Sequence, residues 1–260
     1  MKTMSELLFE KVPALEAMRK YPGELHYCGN TALLSRVKLS IVGSRRADGY
    51  SRFMTSELSA KLSRAGVCIV SGGAMGIDAT AHAAAGASNT IAVLGSGIDI
   101  RYPATNRALL DAIGHDGLLL SPFADGFQAT PWSFVVRNEI VVALGDALIV
   151  TQADENSGSM RSVEHALRMG KKIYVLPHRI GESEGTNRLL KEGKAEAIYD
   201  IDAFVSGYGE AARCVGDAFL DYCRTAPSYE DAVRDYPQEV FRYELEGKIA
   251  VVAGKISVLV

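Results

Sequence analysis

The stretch from Ser71 to His82, SGGAMGIDATAH, contains the residue types that bind a phosphate. An apolar run precedes it and an alanine-rich segment follows it, so its glycines lie where a buried strand turns into a helix. Gly72, Gly73 and Gly76 can adopt positive φ and let a ligand approach the backbone, while the free amides that open the helix face a phosphate. The alternative is that these glycines serve only close packing of helix on strand.

Two residues of this stretch could do acid–base chemistry. Asp78 and His82 are four residues apart, so they share one face of the predicted helix. A structural role is favoured, because the helix dipole stabilises an aspartate in the first turn and a nearby histidine can serve as its hydrogen-bond partner. We therefore expect Asp78 and His82 to support the turn.

The rest of the chain lacks the common catalytic and cofactor motifs. No G-x-G-x-x-G follows the first predicted strand, and the G-x-x-x-x-G-K-[ST] phosphate loop is absent. The serines lack an activating base or a glycine-flanked elbow, and the histidines lack metal-ligand spacing; the residues concerned are Ser71, Ser157, Ser159, His115, His165 and His178. The sequence predicts no enzyme, cofactor or metal site.

An arginine and an aromatic residue point to nucleic acid instead. Arg45 follows Gly43 and Ser44 at the end of the first predicted strand, and its guanidinium suits a phosphate because it forms two parallel hydrogen bonds. Phe134 lies three residues before Arg137 on one helix face, where a ring can stack a base while the arginine holds the backbone. The alternative is that Phe134 is a core residue.

Composition indicates an ordinary globular protein. Of the 260 residues, 48% are hydrophobic and 23% are charged, and no apolar run approaches the ~20 residues that span a bilayer. The first residues show no signal peptide, so we expect a cytoplasmic protein without membrane contact. The 4 cysteines form no C-x-x-C pair, which argues against a zinc site or a disulfide framework.

The net charge of −3 does not mark a nucleic-acid binder. Residues 206–260 carry 6 basic and 9 acidic residues, so their net charge is −3. Residues 1–37 carry 5 basic and 4 acidic residues, and residues 38–205 carry 17 basic and 18 acidic residues, so these two segments are close to neutral. Phosphate contacts must therefore come from a local cluster outside the last segment.

Strand and helix patterns alternate along most of the chain. Apolar runs predict strands at 39–42, 67–71, 90–94, 117–121, 147–151 and 172–176. Amphipathic spacing predicts helices at 3–19, 49–64, 75–86, 104–113, 132–144 and from 157 to 169. This alternation predicts an α/β fold with a doubly wound, mainly parallel sheet. Ligands bind at the carboxyl edge of such a sheet, where the loops at Gly43, Gly72, Gly95 and Ser157 would gather.

We divide the chain into four parts. Residues 1–37 are predicted to form a helical lead-in, 38–205 a Rossmann-like domain and 206–213 a linker. Residues 214–260 show three helical patterns and a terminal hairpin, the outline of a winged helix. Because that segment is acidic, we expect a role in protein interaction or regulation rather than duplex recognition.

Several motifs in one order resemble the DprA/Smf family of DNA-processing proteins. The motifs are Tyr21-Pro22-x-x-Leu25 with Gly29-Asn30, Gly43-Ser44-Arg45, the 71–82 stretch, Ala92-Val93-Leu94-Gly95-x-Gly97-x-Asp99-x-x-Tyr102-Pro103, Phe134-x-x-Arg137-Asn138, Ser157-Gly158-Ser159, and Gly185-Thr186-Asn187 with Leu189-Leu190 and Glu192-Gly193. The resemblance covers roughly residues 20–205, and the winged-helix outline is similar to the family's optional C-terminal module.

The resemblance implies a non-enzymatic protein of natural transformation. Such a protein binds single-stranded DNA, protects incoming DNA, loads the RecA recombinase and acts as a homodimer. The resemblance implies a DNA pocket formed by Arg45, Ser71, Gly72, Phe134 and Arg137. With the loops expected at the same sheet edge, the predicted DNA-binding residues are Gly43, Ser44, Arg45, Ser71, Gly72, Gly73, Gly76, Gly95, Phe134, Arg137, Asn138, Ser157 and Gly158. The dimer contacts implied are Thr186, Asn187, Leu189, Leu190, Lys191 and Lys194.

Three departures and two other functions qualify the resemblance. Met75 stands where a basic residue is common, Glu139 replaces an arginine, and His178 follows Leu-Pro in place of the usual Pro-Gly. Fewer cations predict a shallower salt dependence of DNA binding. A nucleotide N-glycosidase of the same fold class is the alternative, and Glu164 would match its glutamate, although the P-G-G-x-G-T motif is missing. An interaction scaffold is the third hypothesis.

Overall fold

The computed structural model describes residues 5–208, 218–223, 225–245, 247–252 and 254–258. The chain forms two compact units, Met1–Ala211 and Ala212–Val260. Their boundary falls inside the predicted linker 206–213, of which residues 209–213 lie outside the described residues.

Within the described residues, nine strands form one sheet in the first unit. The order across the sheet is β1-β2-β6-β5-β4-β3-β7-β8-β9; β1 and β2 are antiparallel to their neighbours and all the other pairs are parallel. The strands are β1 (Glu6–Leu7), β2 (His26–Gly29), β3 (Lys38–Val42), β4 (Cys68–Ser71), β5 (Thr90–Val93), β6 (Leu118–Ser121), β7 (Ala147–Val150), β8 (Ile173–Val175) and β9 (Glu196–Ala197). The predicted doubly wound, mainly parallel α/β fold is confirmed.

Helices cover both faces of this sheet because its central strands are apolar on both sides. Ile69 and Val70 are consecutive in β4, and they pack into two different core clusters. Side chains alternate along a strand, so these clusters lie on opposite faces. The helices are α1 (Gly49–Arg64), α2 (Ile77–Ala85), α3 (Arg107–Asp116), α4 (Pro131–Leu144), α5 (Gly158–Arg168), α6 (Glu184–Lys191) and α7 (Ile201–Ser206).

The prediction of a helix over residues 3–19, and with it of a helical lead-in over residues 1–37, is wrong. Of these residues, 1–4 lie outside the described residues, and the rest contains β1, β2 and the two short 3₁₀ helices Pro13–Ala17 and Thr31–Ser35, with no α-helix in the described part of this segment. Pro13 has no amide hydrogen and its ring blocks the preceding helical turn, so a helix cannot run through it. The segment instead adds two antiparallel strands to the sheet through the pairing of β2 with β6.

The chain reverses its course across the sheet at β3. From β3 it proceeds through β4 and β5 to β6 on one side, and then returns to place β7 on the other side of β3. The helices that follow β3 and β7, α1 and α5, therefore pack on opposite faces of the sheet, and a crevice forms between their amino ends at the carboxyl edge, which is where open α/β sheets bind ligands.

The second unit has its own small core. Its described elements are α8 (Ala218–Cys223), α9 (Tyr229–Asp235), α10 (Pro237–Leu245) and the antiparallel hairpin of β10 (Ile249–Val252) and β11 (Lys255–Val258). Phe219, Ala232, Val240, Ile249 and Ile256 pack together. Three helices and a hairpin match the predicted elements, while the winged-helix classification stays a prediction. None of the described helices has the length and apolarity needed to cross a membrane.

Candidate nucleic-acid interface

Two adjoining pockets occupy the carboxyl edge of the sheet. The larger has a volume of about 570 Å³, and we call it the switch-point pocket; it is lined by Val42, Gly43, Ser44, Arg45, Arg46, Ala74, Asp78, Arg137, Asn138, Gln152, Asp154, Ser157, Gly158, Ser159 and Ser162. The smaller has a volume of about 30 Å³, and we call it the aromatic pocket; it is lined by Arg45, Gly72, Ala74, Met75, Gly95, Ser96, Tyr102, Pro103, Phe134 and Arg137. Arg45, Ala74 and Arg137 line both, so the two pockets are adjacent.

Arg137 is a buried charge at the junction of the pockets. It extends from α4, is 3% exposed, and donates from Nη1 to the carbonyl oxygen of Val93 at 3.2 Å. The same nitrogen lies 4.0 Å from Asp78 Oδ2. Burial lowers the pKa of the guanidinium and the Asp78 charge opposes that shift. An arginine stays protonated under such conditions, so the site holds a fixed positive charge.

Asp78 connects this charge to the glycine-rich loop. Its Oδ2 accepts hydrogen bonds from the amides of Gly72 at 3.2 Å and Ala74 at 3.3 Å. Burial raises the pKa of the Asp78 carboxyl, while Arg137 and the two amides act in the opposite direction. A side chain at position 72 would overlap Arg137 Nη1, so only glycine leaves room for the guanidinium.

The loop after β3 rests on the glycine-rich loop. Gly76 has φ of 76°, and a side chain there would overlap the carbonyl oxygen of Ser44. That oxygen accepts a hydrogen bond from the amide of Ile77 at 3.1 Å. On its other side the loop is held by β7, because the Ser44 amide donates to the carbonyl oxygen of Gln152 at 2.9 Å. Arg45 therefore follows a residue whose amide and carbonyl groups are both held by neighbouring loops.

Phe134 forms the base of the aromatic pocket. Its ring packs on Gly95, where an added Cβ would lie 2.7 Å from Phe134 Cδ1. The guanidinium carbons of Arg45 and Arg137 lie 5.4 and 5.6 Å from the ring centroid, and the Tyr102 ring lies 5.6 Å away. Cations near an aromatic ring at this distance are attracted to it. The arrangement offers a stacking surface flanked by two positive charges.

The amino end of α5 opens into the switch-point pocket. Ser157 occupies the N-cap position, but its side chain accepts no hydrogen bond from the helix. Among the described residues, the amides of Gly158 and Ser159 donate to no carbonyl or side chain. Such amides and the helix dipole favour an anion.

The structure gathers ten of the predicted DNA-binding residues around the two pockets. These are Gly43, Ser44, Arg45, Gly72, Gly95, Phe134, Arg137, Asn138, Ser157 and Gly158. Ser71, Gly73 and Gly76 line neither pocket. The Ser71 hydroxyl faces inward and donates to the carbonyl oxygen of Ile41 at 2.6 Å, so it acts in the sheet.

The position of His82 argues against the acid–base alternative. His82 is fully buried, lines neither pocket, and places Nδ1 2.6 Å from Thr90 Oγ1. Burial lowers the pKa of His82 to about 3, so the ring is neutral at physiological pH. Asp78 supports the turn as predicted, whereas the partner of His82 is Thr90 on β5.

Sequence reasoning missed several lining residues, of which Tyr102 and Gln152 matter most. Tyr102 is 49% exposed beside Phe134, in a loop with no periodic pattern. Gln152 ties the loop after β3 to β7 through its carbonyl oxygen and also accepts from the Asp48 amide at 3.1 Å. The signal for Gln152 was its place two residues beyond β7, and the signal for Tyr102 was its place in the motif that ends in Tyr102-Pro103.

Two of the three departures from the family pattern lie outside these pockets. Glu139 lies on α4 and lines neither pocket; its Oε1 accepts a hydrogen bond from the Arg19 amide at 3.3 Å and lies 3.7 Å from His165 Nδ1. His178 places Nε2 2.8 Å from the Thr151 carbonyl oxygen and lines a separate groove. Met75 is the exception, because it lines the aromatic pocket and is 46% exposed.

The predicted dimer residues divide between the inside and the outside of α6. Thr186 is fully buried and Leu189 is 2% exposed, so both side chains serve the chain's own core. Asn187 donates to the carbonyl oxygens of Arg179 and Glu182. Lys191 and Lys194 are exposed and Leu190 is half-buried, so only these side chains remain for a partner.

Across the part of the chain that the structure describes, no three His, Cys, Asp or Glu side chains lie close enough together to hold an ion.

Comparison with known proteins gives one family. The family model described as DNA recombination-mediator protein A matches residues 9–209. DNA processing protein DprA of Streptococcus pneumoniae is 39% identical over 176 residues, which cover 66% of this chain and 62% of that relative. Protein Smf of Escherichia coli is 35% identical over 186 residues, which cover 70% of this chain and 50% of that relative. The match thus spans half to two thirds of the length of these relatives.

Two similar solved structures agree with this family assignment. DNA processing protein A from Helicobacter pylori, solved to describe its single-stranded DNA binding mode, superposes with a TM-score of 0.77 and 37% identity, covering 80% of this chain and 97% of that one. The Streptococcus pneumoniae protein gives a TM-score of 0.73 and 34% identity, covering 80% and 75%.

The close contact between Arg137 and Gly72 predicts that adding one methyl group at position 72 destabilises the folded protein. We expect Gly72→Ala to lower the free energy of unfolding by about 1–3 kcal/mol, because the methyl overlaps a buried guanidinium. Gly158→Ala is the control, because a Cβ added at position 158 has no atom within 4 Å. This variant should change the free energy of unfolding by less than about 0.5 kcal/mol. Urea unfolding followed by the fluorescence of Trp132, the single tryptophan, measures both. Equal midpoints for the two variants would contradict this packing.

Proposed function

Because the chain belongs to the DNA recombination-mediator protein A family, the DprA/Smf proteins, we propose that it binds single-stranded DNA across the switch-point and aromatic pockets. The observation that carries the proposal is the position of Arg45 and Arg137, whose guanidinium carbons lie 5.4 and 5.6 Å from the ring of Phe134. A base stacks on Phe134 while the adjacent phosphate contacts the arginines, which is how sequence-tolerant single-strand binding works.

The aromatic pocket favours single strands over duplex. A base inside a duplex is stacked between its neighbours and paired, so it reaches Phe134 only after it is unstacked at a cost of a few kcal/mol. A single strand presents its bases without that cost. The contacts available are to ring faces and phosphates, so we expect little sequence preference.

The family supports a further proposal about the cellular role. We propose that the chain protects incoming DNA and loads the RecA recombinase onto it during natural transformation. The family description as a recombination mediator and the structural similarity to the Helicobacter pylori protein support this role.

The N-glycosidase alternative depended on Glu164, and the geometry does not favour it. Glu164 is exposed on α5 and lines neither pocket. Asp78 is already engaged by two amides and by Arg137. A carboxylate free to attack or protonate a glycosidic bond would have to be the exposed Asp154. We therefore propose a binding function without catalysis.

We also propose a homodimer that uses the outer face of α6. A groove of about 500 Å³ runs along this helix, with Asn187, Leu190 and Lys191 in its lining. Ile180, in the preceding loop, is fully exposed and also lines this groove. An exposed isoleucine beside a groove is the kind of apolar anchor that a second copy would bury.

Replacing Arg45 tests DNA binding directly. We expect Arg45→Ala to weaken binding of labelled oligo-dT about tenfold, and to make the dependence of log K on log salt shallower by about 0.7, because one phosphate contact is lost. Arg64→Ala removes the same charge from the exposed end of α1 and should change neither quantity. Titrations at about 50 and 200 mM salt, with a matched duplex, provide the comparison.

The proposal would be abandoned if oligo-dT and duplex bound equally well, or if Arg45→Ala lost no affinity. Release of free base from a nucleoside monophosphate would instead favour the glycosidase.

Light scattering tests the dimer. We expect the mass of two chains for the natural sequence and of one chain for Ile180→Glu, because the variant places a charge where the apolar anchor would be buried. Leu167→Glu introduces the same charge on α5, where Leu167 is 42% exposed, and should leave the dimer intact. A monomeric natural protein, or a dimeric Ile180→Glu, would rule out this interface.

A further inference from the structure

We infer that the switch-point pocket is a site for a phosphate monoester, supplied by the end of a DNA strand or by a free nucleotide. For the strand end this inference rests on the proposed function and makes it more specific. A strand end would be bound differently from the strand interior, because a terminal phosphate carries close to two negative charges at neutral pH and an internal phosphodiester carries one.

The first observation is that several N–H hydrogen-bond donors line the pocket without a partner among the described residues. The amides of Gly158 and Ser159 open α5 toward it and are unpaired among the described residues. The side chains of Arg45, Arg46 and Asn138 also line it, and within the described part of the chain none of them forms a hydrogen bond or an ion pair.

Arg137 is the second, independent observation. It is 3% exposed and lines the pocket, and its Nε has no hydrogen-bond partner among the described residues. Only Nη1 is engaged, by Val93 and Asp78. A buried guanidinium with unused donors costs stability unless a ligand completes it. A helix amino terminus and a buried, incompletely paired arginine therefore face one cavity.

The balance of charge favours a dianion. Arg45, Arg46 and Arg137 face two carboxylates, of which Asp78 is committed to the glycine-rich loop and Asp154 is exposed. A phosphodiester offers two unesterified oxygens, whereas a monoester offers three and twice the charge. The two helix amides, Asn138 and the guanidinium groups together have more N–H donors than the number of hydrogen bonds that two oxygens can accept.

Hydrogen bonds also hold together two of the loops that line the pocket. Asp48 and Gln152 are joined by two hydrogen bonds, from the Asp48 amide and from Gln152 Nε2, each 3.1 Å long. Together with the bond from the Ser44 amide to Gln152, they join the loops after β3 and β7. Because Gln152 lines the pocket, this link fixes the loop that carries Arg45 and Arg46 to the loop that leads into α5, and the donors are positioned before a ligand binds.

The volume agrees with this ligand class. A cavity of about 570 Å³ lies within the range of small-molecule sites, roughly 300–1,000 Å³, and is large for a phosphate group alone. The shared lining by Arg45 and Arg137 lets one nucleotide place its phosphate in the switch-point pocket and its base in the aromatic pocket.

The test compares strand ends in the full chain. Labelled dT oligonucleotides carry a 5′-phosphate, a 3′-phosphate or only hydroxyl ends, and a circular single strand has no ends. We expect a phosphate at one end to tighten binding about tenfold over the hydroxyl form, as one or two added charge-assisted hydrogen bonds would. In a parallel arm, dTMP and thymidine compete with the hydroxyl-ended oligonucleotide.

A matched pair of variants locates the effect. Ser159→Glu places a carboxylate at the second position of α5, where the helix dipole tolerates it but where it repels a phosphate. It should reduce the tenfold ratio to about one. Ser88→Glu makes the same replacement at an exposed serine that lines neither pocket, and should keep the ratio.

The outcomes separate the inference from the proposed function. A phosphate preference lost in Ser159→Glu supports the strand-end site, and competition by dTMP without an end preference supports the monoester site with free nucleotide as its source. Equal binding of phosphorylated, hydroxyl-ended and circular strands, without competition by dTMP, overturns the inference and leaves single-strand binding intact. Absence of any oligonucleotide binding overturns the proposed function instead.

Discussion

The buried contact between Arg137 and Asp78 is the interaction on which the binding surface depends. The two charges lie 4.0 Å apart beneath Gly72, and both are more than nine-tenths buried. Removing such charges from water costs several kcal/mol per ion, which their attraction repays only with good geometry and added hydrogen bonds. Here Asp78 accepts two amides of the glycine-rich loop and Arg137 donates to the end of β5, so the pair joins the loop, the sheet and α4.

This arrangement assigns the glycines a function different from that of a simple phosphate loop. Gly72 leaves space for a guanidinium, Gly76 for the Ser44 carbonyl and Gly95 for the ring of Phe134. Each absent side chain is replaced by a group from another element, so the loops pack on one another in a single arrangement. The pockets are therefore largely formed before ligand arrives, which lowers the ordering cost of binding.

The sheet, and the gathering of most predicted residues at its carboxyl edge, could be predicted from the sequence because both follow from periodic or positional rules. Arg45 follows a strand-ending glycine, and the carboxyl edge of a parallel sheet collects such residues. The inward position of Ser71 could not be predicted, because a side chain at a strand end still points to a sheet face, here toward the carbonyl oxygen of Ile41. Tyr102 lies in an aperiodic loop that only tertiary packing positions. The helical spacing before Pro13 was outweighed by the proline and by strand pairing.

A double-mutant cycle on Asp78→Asn and Arg137→Met most directly tests whether the buried pair organises the site. Each single variant leaves one uncompensated buried charge or dipole, so each should lose stability. The double variant should recover about 1–3 kcal/mol relative to the sum of the two. Oligo-dT affinity should stay low in the double variant, because the guanidinium is absent. Additive losses of stability, or natural affinity in the double variant, would contradict the account.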